Sequence, residues 1–159
     1  MANLDDIYST RILELAAAIP RTQRLAAPDA TATAHSKLCG STITVDLVVR
    51  DDRIVDFGQT VKACLLGQAA AAIVGREIVG MSPAELRAAA IEMRSMLKEE
   101  GVLPTGRLAE LRILEAVRDY KSRHASTMLV FDAIEKALVE IETKRGPGTT
   151  TVGRLAAAS

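Results

Sequence analysis

Two runs of alternating apolar and polar residues, joined by a charged turn, limit the possible folds more than any other feature. Every second residue from Ile43 to Val49 is apolar, and a second apolar, β-branched run covers residues 54–61. Between them, Arg50–Arg53 has the polar composition of a turn. A period of two puts the apolar side chains on one face of an antiparallel pair. The sequence therefore predicts a β-hairpin over residues 42–61 with one face that other parts of the chain must cover.

Most of the remaining periodic segments predict helices. Apolar residues recur every three or four positions over residues 4–19, and Pro20 ends this pattern. Ser82–Glu85 is a capping box with proline at the first helical position, which is typical of a helix start. Further helices are predicted after Cys64, over residues 108–117 and over residues 128–141.

These elements predict an α+β domain: a small, mostly antiparallel β-sheet with helices packed on one face and the hairpin in its centre. Residues 21–37 have no helical period, so we expect a loop or an edge strand that leads to Cys39. A chain of 159 residues suits one domain. We assign residues 1–145 to this domain and residues 146–159, which begin Gly-Pro-Gly-Thr-Thr-Thr, to a disordered tail.

Charge and hydropathy exclude two classes of partner. The chain has 20 Lys and Arg against 20 Asp and Glu, which argues against nucleic acid or an anionic membrane as its main partner, since both select a cationic face. Its apolar runs stay below the roughly 20 residues that span a bilayer, and acidic Asp5 and Asp6 are unlike a signal peptide. We therefore expect a cytoplasmic protein whose two cysteines are reduced thiols.

Four side chains are candidate ligands for a soft metal: His35, Cys39, Cys64 and His124. Cys39 directly precedes Gly40, which lets the backbone turn so that the thiol faces outward. Cys64 is at the start of a predicted helix, where unpaired N–H groups stabilise a thiolate. We expect the two sulfurs to lie near one another at one end of the sheet, with His35 or His124 within reach.

Simpler interpretations remain open for each of these residues. Cys64 in an alanine-rich helix is also explained as a small buried hydrophobic residue. Ser122–His124 and Ser126–Thr127 precede the last predicted helix, where hydroxyl groups commonly cap first-turn amides. A cysteine-dependent enzyme with Cys64 as nucleophile and His124 as base is a further alternative.

Taken together, several segments resemble the U-type iron–sulfur cluster assembly scaffolds, the family of IscU, SufU and the NifU N-terminal domain. The resemblance covers about residues 4–140. The stretch from Met81 to Arg107 resembles the insertion of the SufU subtype, which is associated with zinc. The segments that carry the family pattern are Ile19–Arg21, Leu38–Ser41, Ala63–Ala69, Ala116–Arg123 and Ala133–Ala137.

The resemblance implies a protein that is not an enzyme but a scaffold and sulfur acceptor. Its cargo would be a transient Fe–S cluster or iron, or else zinc, bound through Cys39 and Cys64 with His124 or His35. Its partners would be a cysteine desulfurase and apo-protein acceptors, and it would be a monomer or a weak homo-oligomer.

Three positions depart from the family pattern. The aspartate after Cys-Gly is replaced by Ser41, the third cysteine by Ser126, and the histidine found beside it in IscU-like members by Ala125. A serine hydroxyl is a poor ligand for zinc or iron, so we expect weak metal binding. A divergent paralogue that binds partners or a labile metal, but no longer assembles clusters, is the alternative to a scaffold.

Overall fold

The structure is a computed structural model that describes residues 9–38, 40–99 and 101–145. Its strands are β1 (Ala30–His35), β2 (Thr42–Arg50) and β3 (Arg53–Lys62), and its α-helices are α1 (Thr10–Ala17), α2 (Leu65–Glu77), α3 (Pro83–Lys98) and α4 (His124–Arg145). Two 3₁₀ segments, Gly106–Asp119 and Lys121–Arg123, connect α3 to α4.

The predicted α+β fold is confirmed. The described strands form one antiparallel sheet in the order β1-β2-β3, and α4 and α2 cover one of its faces. Ile43 and Leu47 of β2 are fully buried, and each such side chain contributes about 1.5–3 kcal/mol to folding. β2 is the central strand but β3 lies at an edge of this sheet, so the prediction that the whole hairpin forms the centre is wrong for β3.

The hairpin turn adopts an uncommon backbone conformation. Asp51 and Asp52 have φ angles of +52° and +61°, in the left-handed region. Two consecutive residues of this kind match the right-handed twist of the flanking strands, and aspartate tolerates the conformation better than most residues.

The segment between α1 and β1 crosses the outer face of the sheet. The Gln59 N–H donates to the Arg21 carbonyl at 2.9 Å, and a Cβ on Gly58 would lie 2.3 Å from the Gln23 carbonyl oxygen. Buried Asp46 accepts hydrogen bonds from the Arg24 guanidinium at 2.7 Å and 3.1 Å. This segment then continues into β1, so the predicted edge strand is confirmed.

The helix boundaries follow the caps. The capping box is confirmed: Ser82 Oγ accepts the Glu85 N–H at 3.1 Å, and Glu85 Oε1 accepts the Ser82 N–H at 2.8 Å. Ser9 Oγ accepts the Ile12 N–H at 3.3 Å while the Ser9 backbone is extended, so α1 begins at Thr10. The prediction of one continuous helix over residues 4–19 is therefore wrong at Ser9, because a helix begins after this residue. Residues 4–8 of the predicted helix lie outside the described part of the chain.

Residues 106–119 form a 3₁₀ segment in place of the predicted short helix. Their apolar residues recur every third position, as Leu108, Leu111, Leu114 and Val117, and all four are buried. A 3₁₀ helix has three residues per turn, so this spacing aligns them on one face.

The register and α4 define two ends of the sheet. At one end of the sheet, His35 of β1 pairs with Thr42 of β2, and Thr42 pairs with Lys62 of β3. We name this end, with the segments that follow His35 and Lys62 in the chain, the cysteine end. The opposite end, with Asp29, Val49 and Arg50, is named the charged end. α4 runs from the former to the latter, where Arg145 Nη2 donates to the Val49 carbonyl at 2.7 Å.

Lysines of α4 also contact the β1 side of the sheet. Lys136 Nζ donates to the Thr33 carbonyl at 3.0 Å, and Lys144 Nζ donates to the Asp29 carbonyl at 2.8 Å. Among the residues that the structure describes, no helix has both the length and the apolar run needed to cross a membrane.

Candidate functional site

The antiparallel register brings both cysteine-bearing segments to the cysteine end. Cys64 follows β3, and Cys39 belongs in sequence to the connection between β1 and β2. Cys39 itself lies outside the described residues, whereas Gly40 has φ +72° and donates its N–H to the Ser36 carbonyl at 2.9 Å. The distance between the two sulfurs therefore stays a prediction.

Cys64 is the residue that caps the N-terminus of α2. It has extended backbone angles, its side chain makes no capping hydrogen bond, and it is half-buried. The sulfur therefore lies beside the positive end of a 13-residue helix, where first-turn amides favour negative charge. The predicted position of Cys64 at a helix start is confirmed.

The nearest polar partner of this thiol is Ser126, which is 62 positions away in sequence. Cys64 Sγ and Ser126 Oγ are 2.9 Å apart, within hydrogen-bonding distance. Ser126 is only 1% exposed. Ser126, which the family resemblance aligns with the third cysteine, is therefore in contact with Cys64.

Gly67 allows this close approach of α2 and α4. A Cβ built on Gly67 would lie 3.0 Å from both Ser126 Oγ and the Ser126 carbonyl oxygen, and 2.9 Å from the Cβ of Ala63. A Cβ at these distances would require the neighbouring atoms to shift by a few tenths of an ångström. Glycine at this position thus lets the Ser126 hydroxyl reach Cys64.

The start of α4 differs from the sequence prediction. The helix begins at His124, so Ser126 and Thr127 are buried in its first turn instead of preceding it. Thr127 Oγ1 donates to the Arg123 carbonyl at 2.7 Å, a bond within the helix and not an N-cap. The capping interpretation of this pair is therefore wrong, because the Lys121–Arg123 segment already begins the helical path.

His124 is buried, and backbone carbonyls occupy one of its ring nitrogens. Nε2 lies 3.0 Å from the Val117 oxygen and 3.1 Å from the Arg118 oxygen. Carbonyl oxygens only accept, so Nε2 carries the proton and Nδ1 alone is left as a ligand atom. His124 and Ser126 are two positions apart on a helix, about 200° around its axis, so the two side chains point to different sides.

His124 and His35 line different cavities. His124, with Leu38, Lys98 and Arg118, lines an open cavity of about 710 Å³. His35 lines another, of about 590 Å³, and its Nδ1 lies 3.1 Å from Thr42 Oγ1.

The His35 cavity also contains a partly desolvated acid. Burial raises the pKa of Asp132, which lines this cavity, and the charges of Arg94 and Lys136 oppose the change. Metal binding by either histidine stays a prediction.

The basic rim of the cavity at His124 is a feature that the sequence analysis missed. Lys98, Arg118 and Lys121 line it together with a single acid, Asp119. The residues come from α3 and from the 3₁₀ segments, so only a net excess of basic residues near position 120 could have indicated it.

A preformed metal site is absent from the part of the chain that the structure describes. No three His, Cys, Asp or Glu side chains there lie close enough together to hold a metal ion. Ser41, at the position of the family aspartate, is buried, and its carbonyl accepts the Ser36 N–H at 2.8 Å. The described residues thus offer one thiol, that of Cys64, with an adjacent hydroxyl.

Solved structures resemble the chain over most of its length. The N-terminal part of a nitrogen-fixing NifU-like protein from Brucella abortus is 53% identical, with a TM-score of 0.87; the match covers 89% of this chain and 98% of that one.

Two further crystal structures share the fold at 19% identity, each covering 86% of this chain and 99% of the other. One is a candidate iron–sulfur cluster assembly scaffold for the SUF system, SufU, from Fervidobacterium islandicum AW-1, with a TM-score of 0.78. The other is a hypothetical protein with a TM-score of 0.75. Neither the models of known families nor the curated proteins give a match.

Proposed function

Because this chain belongs to the family of U-type iron–sulfur cluster assembly scaffolds, we propose that it is itself a scaffold and sulfur acceptor of cluster assembly. It holds a transient Fe–S cluster or iron through Cys39 and Cys64 and passes it to apo-proteins. The identity of 53% to a NifU-like N-terminal domain, over 98% of that chain, supports this proposal.

The observation that carries the proposal is the environment of Cys64. Its thiol is half-buried at the N-terminus of α2, beside a hydroxyl at 2.9 Å, and it does not belong to any group of three described His, Cys, Asp or Glu side chains that could hold a metal ion permanently. Such a thiol is partly exposed to a partner, and the thiolate is the nucleophilic form of a cysteine.

Sulfur acceptance requires a balanced exchange between two proteins. The Cys64 thiolate attacks the outer sulfur of a persulfide on the desulfurase. A new S–S bond forms on Cys64, the S–S bond of the donor breaks, and the donor cysteine leaves as a thiolate. No external oxidant or reductant is needed, since a persulfide is consumed and another is formed.

The donor set suits a labile cargo. Two thiolates leave positions of a cluster or of tetrahedral zinc open, so affinity is modest and transfer to an acceptor is easier. His124 could complete the set only through Nδ1 or after its ring leaves the carbonyls of Val117 and Arg118. His35 would have to turn from Thr42 toward the cysteines.

Two other functions are distinguishable from this one. A divergent paralogue would keep the fold and bind partners or a labile metal without building clusters. A thiol enzyme would need His124 as a base near Cys64, but its Nε2 donates to two carbonyls and the adjacent hydroxyl is that of Ser126. The geometry therefore favours the scaffold over the enzyme.

Anaerobic reconstitution tests the proposal. The full chain is incubated with iron, cysteine and a cysteine desulfurase, and iron and sulfide content, visible absorption and oligomeric state by size exclusion are measured. We expect a cluster spectrum that is lost in Cys64→Ala and Cys39→Ala and kept in Thr127→Val, a buried change that does not touch Cys64.

Each result selects one interpretation. Bound metal without sulfide would indicate a labile zinc or iron protein. A protein that binds neither metal nor sulfide would be a partner-binding paralogue. Turnover of a small substrate that requires both Cys64 and His124 would indicate the enzyme.

A further inference from the structure

Positive charge is concentrated around the cavity at His124. Lys98, Arg118 and Lys121 line this cavity with one acid, Asp119, although the chain as a whole has no net charge. We propose that the cavity is a docking surface for an acidic segment of a protein partner. Only the purpose of this docking, which is to bring a partner to the thiols, rests on the proposed function.

The two lysines supply charge that the described part of the chain does not balance. Both side chains are exposed. Neither Lys98 nor Lys121 forms an ion pair with a described residue, and Asp119 pairs with neither of them. Opposite charge on a partner increases the rate of encounter and selects the partner by its sign. The cavity therefore favours a partner that carries carboxylates.

The cavity at His35 has its charges largely balanced. Three cations line it together with two acids. Arg87 donates there to Glu135 at 2.8 Å and to Glu142 at 2.7 Å, and Lys136 donates to a backbone carbonyl at 3.0 Å. The excess of positive charge is thus particular to the cavity at His124.

Arg118 is held in place before a partner arrives. Its Nε donates to the Met96 carbonyl at 2.9 Å, and its Nη1 lies 3.4 Å from Glu115 Oε2. Because Glu115 shares the charge of Arg118, the unbalanced charge comes from the lysines. A guanidinium that is already fixed loses little conformational freedom when it donates to a carboxylate. Arg118 therefore adds orientation to the attraction that the lysines provide.

Apolar side chains give the cavity a second property. Leu38 lines it and is 76% exposed, which is the largest fraction among the large apolar side chains of the described residues. Leu97 also lines the cavity and is buried. Protein interfaces commonly surround an apolar centre with a polar rim. A matching partner segment would have an apolar side chain that covers Leu38 and carboxylates on both sides of it.

The open shape of the cavity favours a protein segment over a small anion. Sites for small ligands usually enclose most of the ligand surface, whereas this cavity of about 710 Å³ is open. A segment of a larger protein is held in addition by contacts that the rest of that protein makes. An acid on the rim and an exposed leucine also fit a peptide better than they fit a nucleic acid backbone.

The cavity adjoins the two segments that carry the thiols. Leu38 directly precedes Cys39 in the chain. Ala125, which also lines the cavity, directly precedes Ser126. The Ser126 hydroxyl in turn contacts the Cys64 thiol. A segment docked in the cavity would therefore lie beside both cysteine-bearing segments.

A peptide titration tests the proposal with the full chain and without metal, sulfur or a desulfurase. The probe is a synthetic peptide with one leucine between glutamates. The control peptides have the leucine between lysines, or a serine between glutamates. Binding is followed by the NMR shifts of backbone amides. We expect the glutamate–leucine peptide to give saturable shifts at Leu38, Lys98 and Lys121 and to bind more tightly than both controls.

Paired substitutions separate the cavity from the overall charge. Lys98→Gln with Lys121→Gln removes two charges from the cavity at His124, and Arg94→Gln with Lys136→Gln removes two from the cavity at His35. The first variant loses two exposed ion pairs with the peptide, so we expect its binding to weaken about fivefold. The second variant should stay within about twofold of the parent, because salt screens distant charges. Equal weakening in both variants would overturn the proposal.

Other occupants give different results, and each of these would overturn the proposal. Free glutamate that shifts the same amides at the same concentration would indicate a site for small anions. A short single-stranded oligonucleotide that binds more tightly than the peptide would indicate a nucleic acid. Shifts of these amides that follow protein concentration without peptide would indicate a second copy of the chain. A titration without saturable shifts at millimolar peptide would mean that no acidic segment docks in the cavity.

The titration and the reconstitution test different statements. A positive titration with a failed reconstitution would contradict the proposed scaffold function and leave the docking surface intact. A successful reconstitution with a negative titration would overturn the docking surface alone.

Discussion

The two ends of the sheet hold α4 by different kinds of contact. At the charged end, the Asp29 carboxylate accepts the Val49 N–H at 2.8 Å and the guanidinium groups of Arg50 and Arg145 at 2.6 Å and 3.3 Å. At the cysteine end, α4 meets α2 through Gly67 and through the contact between the Cys64 thiol and the Ser126 hydroxyl, instead of through ion pairs.

The charged end therefore attaches α4 to the sheet, whereas the cysteine end carries the candidate reactive thiol. Burial raises the pKa of Asp29, but the bonds from Val49 and Arg50 outweigh it and hold this pKa below its usual range. The charge of Asp29 is thus fixed at neutral pH, so the attachment of α4 at this end does not depend on the state of Cys64. Four changes test this division, beginning with the largest expected effect.

Asp29→Ala should remove the anchor of the charged end. The Val49 amide and two arginines lose a charged acceptor, so we expect about 3 kcal/mol less stability in urea unfolding. Glu14→Ala removes an exposed acid that pairs with Arg11, and should cost less than about 0.5 kcal/mol. A loss at Asp29 no larger than that control would mean that this end is not the anchor.

Gly67→Ala should disturb the cysteine end. The added Cβ meets Ala63 and Ser126, which costs about 1–3 kcal/mol, while the better helix propensity of alanine returns about 1 kcal/mol. We expect a net loss of about 1 kcal/mol, and a smaller loss when Ser126→Ala is also present because one close contact is removed. Strictly additive losses in this double-mutant cycle would contradict the contact.

Ser126→Cys with Ser41→Asp should raise zinc affinity by at least an order of magnitude, or about 1.4 kcal/mol. The cysteine would place a second sulfur next to Cys64, where Ser126 Oγ now lies at 2.9 Å. Competition with a chromogenic chelator measures the change, and Thr127→Cys with Ser41→Asp is the matched control. Equal affinity in the test and control proteins would place the metal elsewhere.

Acid should weaken the charged end before the cysteine end. Because folding lowers the pKa of Asp29, its contribution to stability is complete above the usual aspartate value of about 4 and is lost as the pH falls through the folded value.

We expect the loss of stability between pH 5 and pH 3 to shrink in Asp29→Asn by a fraction of a kcal/mol, since solvent screens the partly exposed group. Ser126→Ala should leave this loss unchanged. Thermal unfolding at several pH values provides the measurement, and an equal change in both variants would contradict the division.

Local patterns in the sequence were sufficient for most of the fold. The alternation over residues 42–49 and the capping box at Ser82 each depend on neighbours within a few positions, so their structures follow directly. β1 was less certain because its sequence, Ala-Thr-Ala-Thr-Ala-His, has only small apolar residues, and its structure depends on pairing with β2.

The candidate site depends on contacts that no local pattern contains. Cys64 and Ser126 are 62 positions apart, and Ser126-Thr127 has the composition of a helix cap although it lies inside the helix. The family resemblance aligned Ser126 with a ligand position, but its contact with Cys64 depends on the packing of α2 against α4 at Gly67. The structure similarly shows that carbonyls occupy His124 Nε2.

The two lysine contacts along β1 bear on self-association. Within the described sheet β1 pairs with β2 alone, and an uncovered strand edge is a template on which other chains can pair and aggregate. The ammonium groups of Lys136 and Lys144 already occupy the carbonyls of Thr33 and Asp29. An incoming strand would have to displace both and bury their charge, so the lysines of α4 protect this edge against amyloid-like stacking.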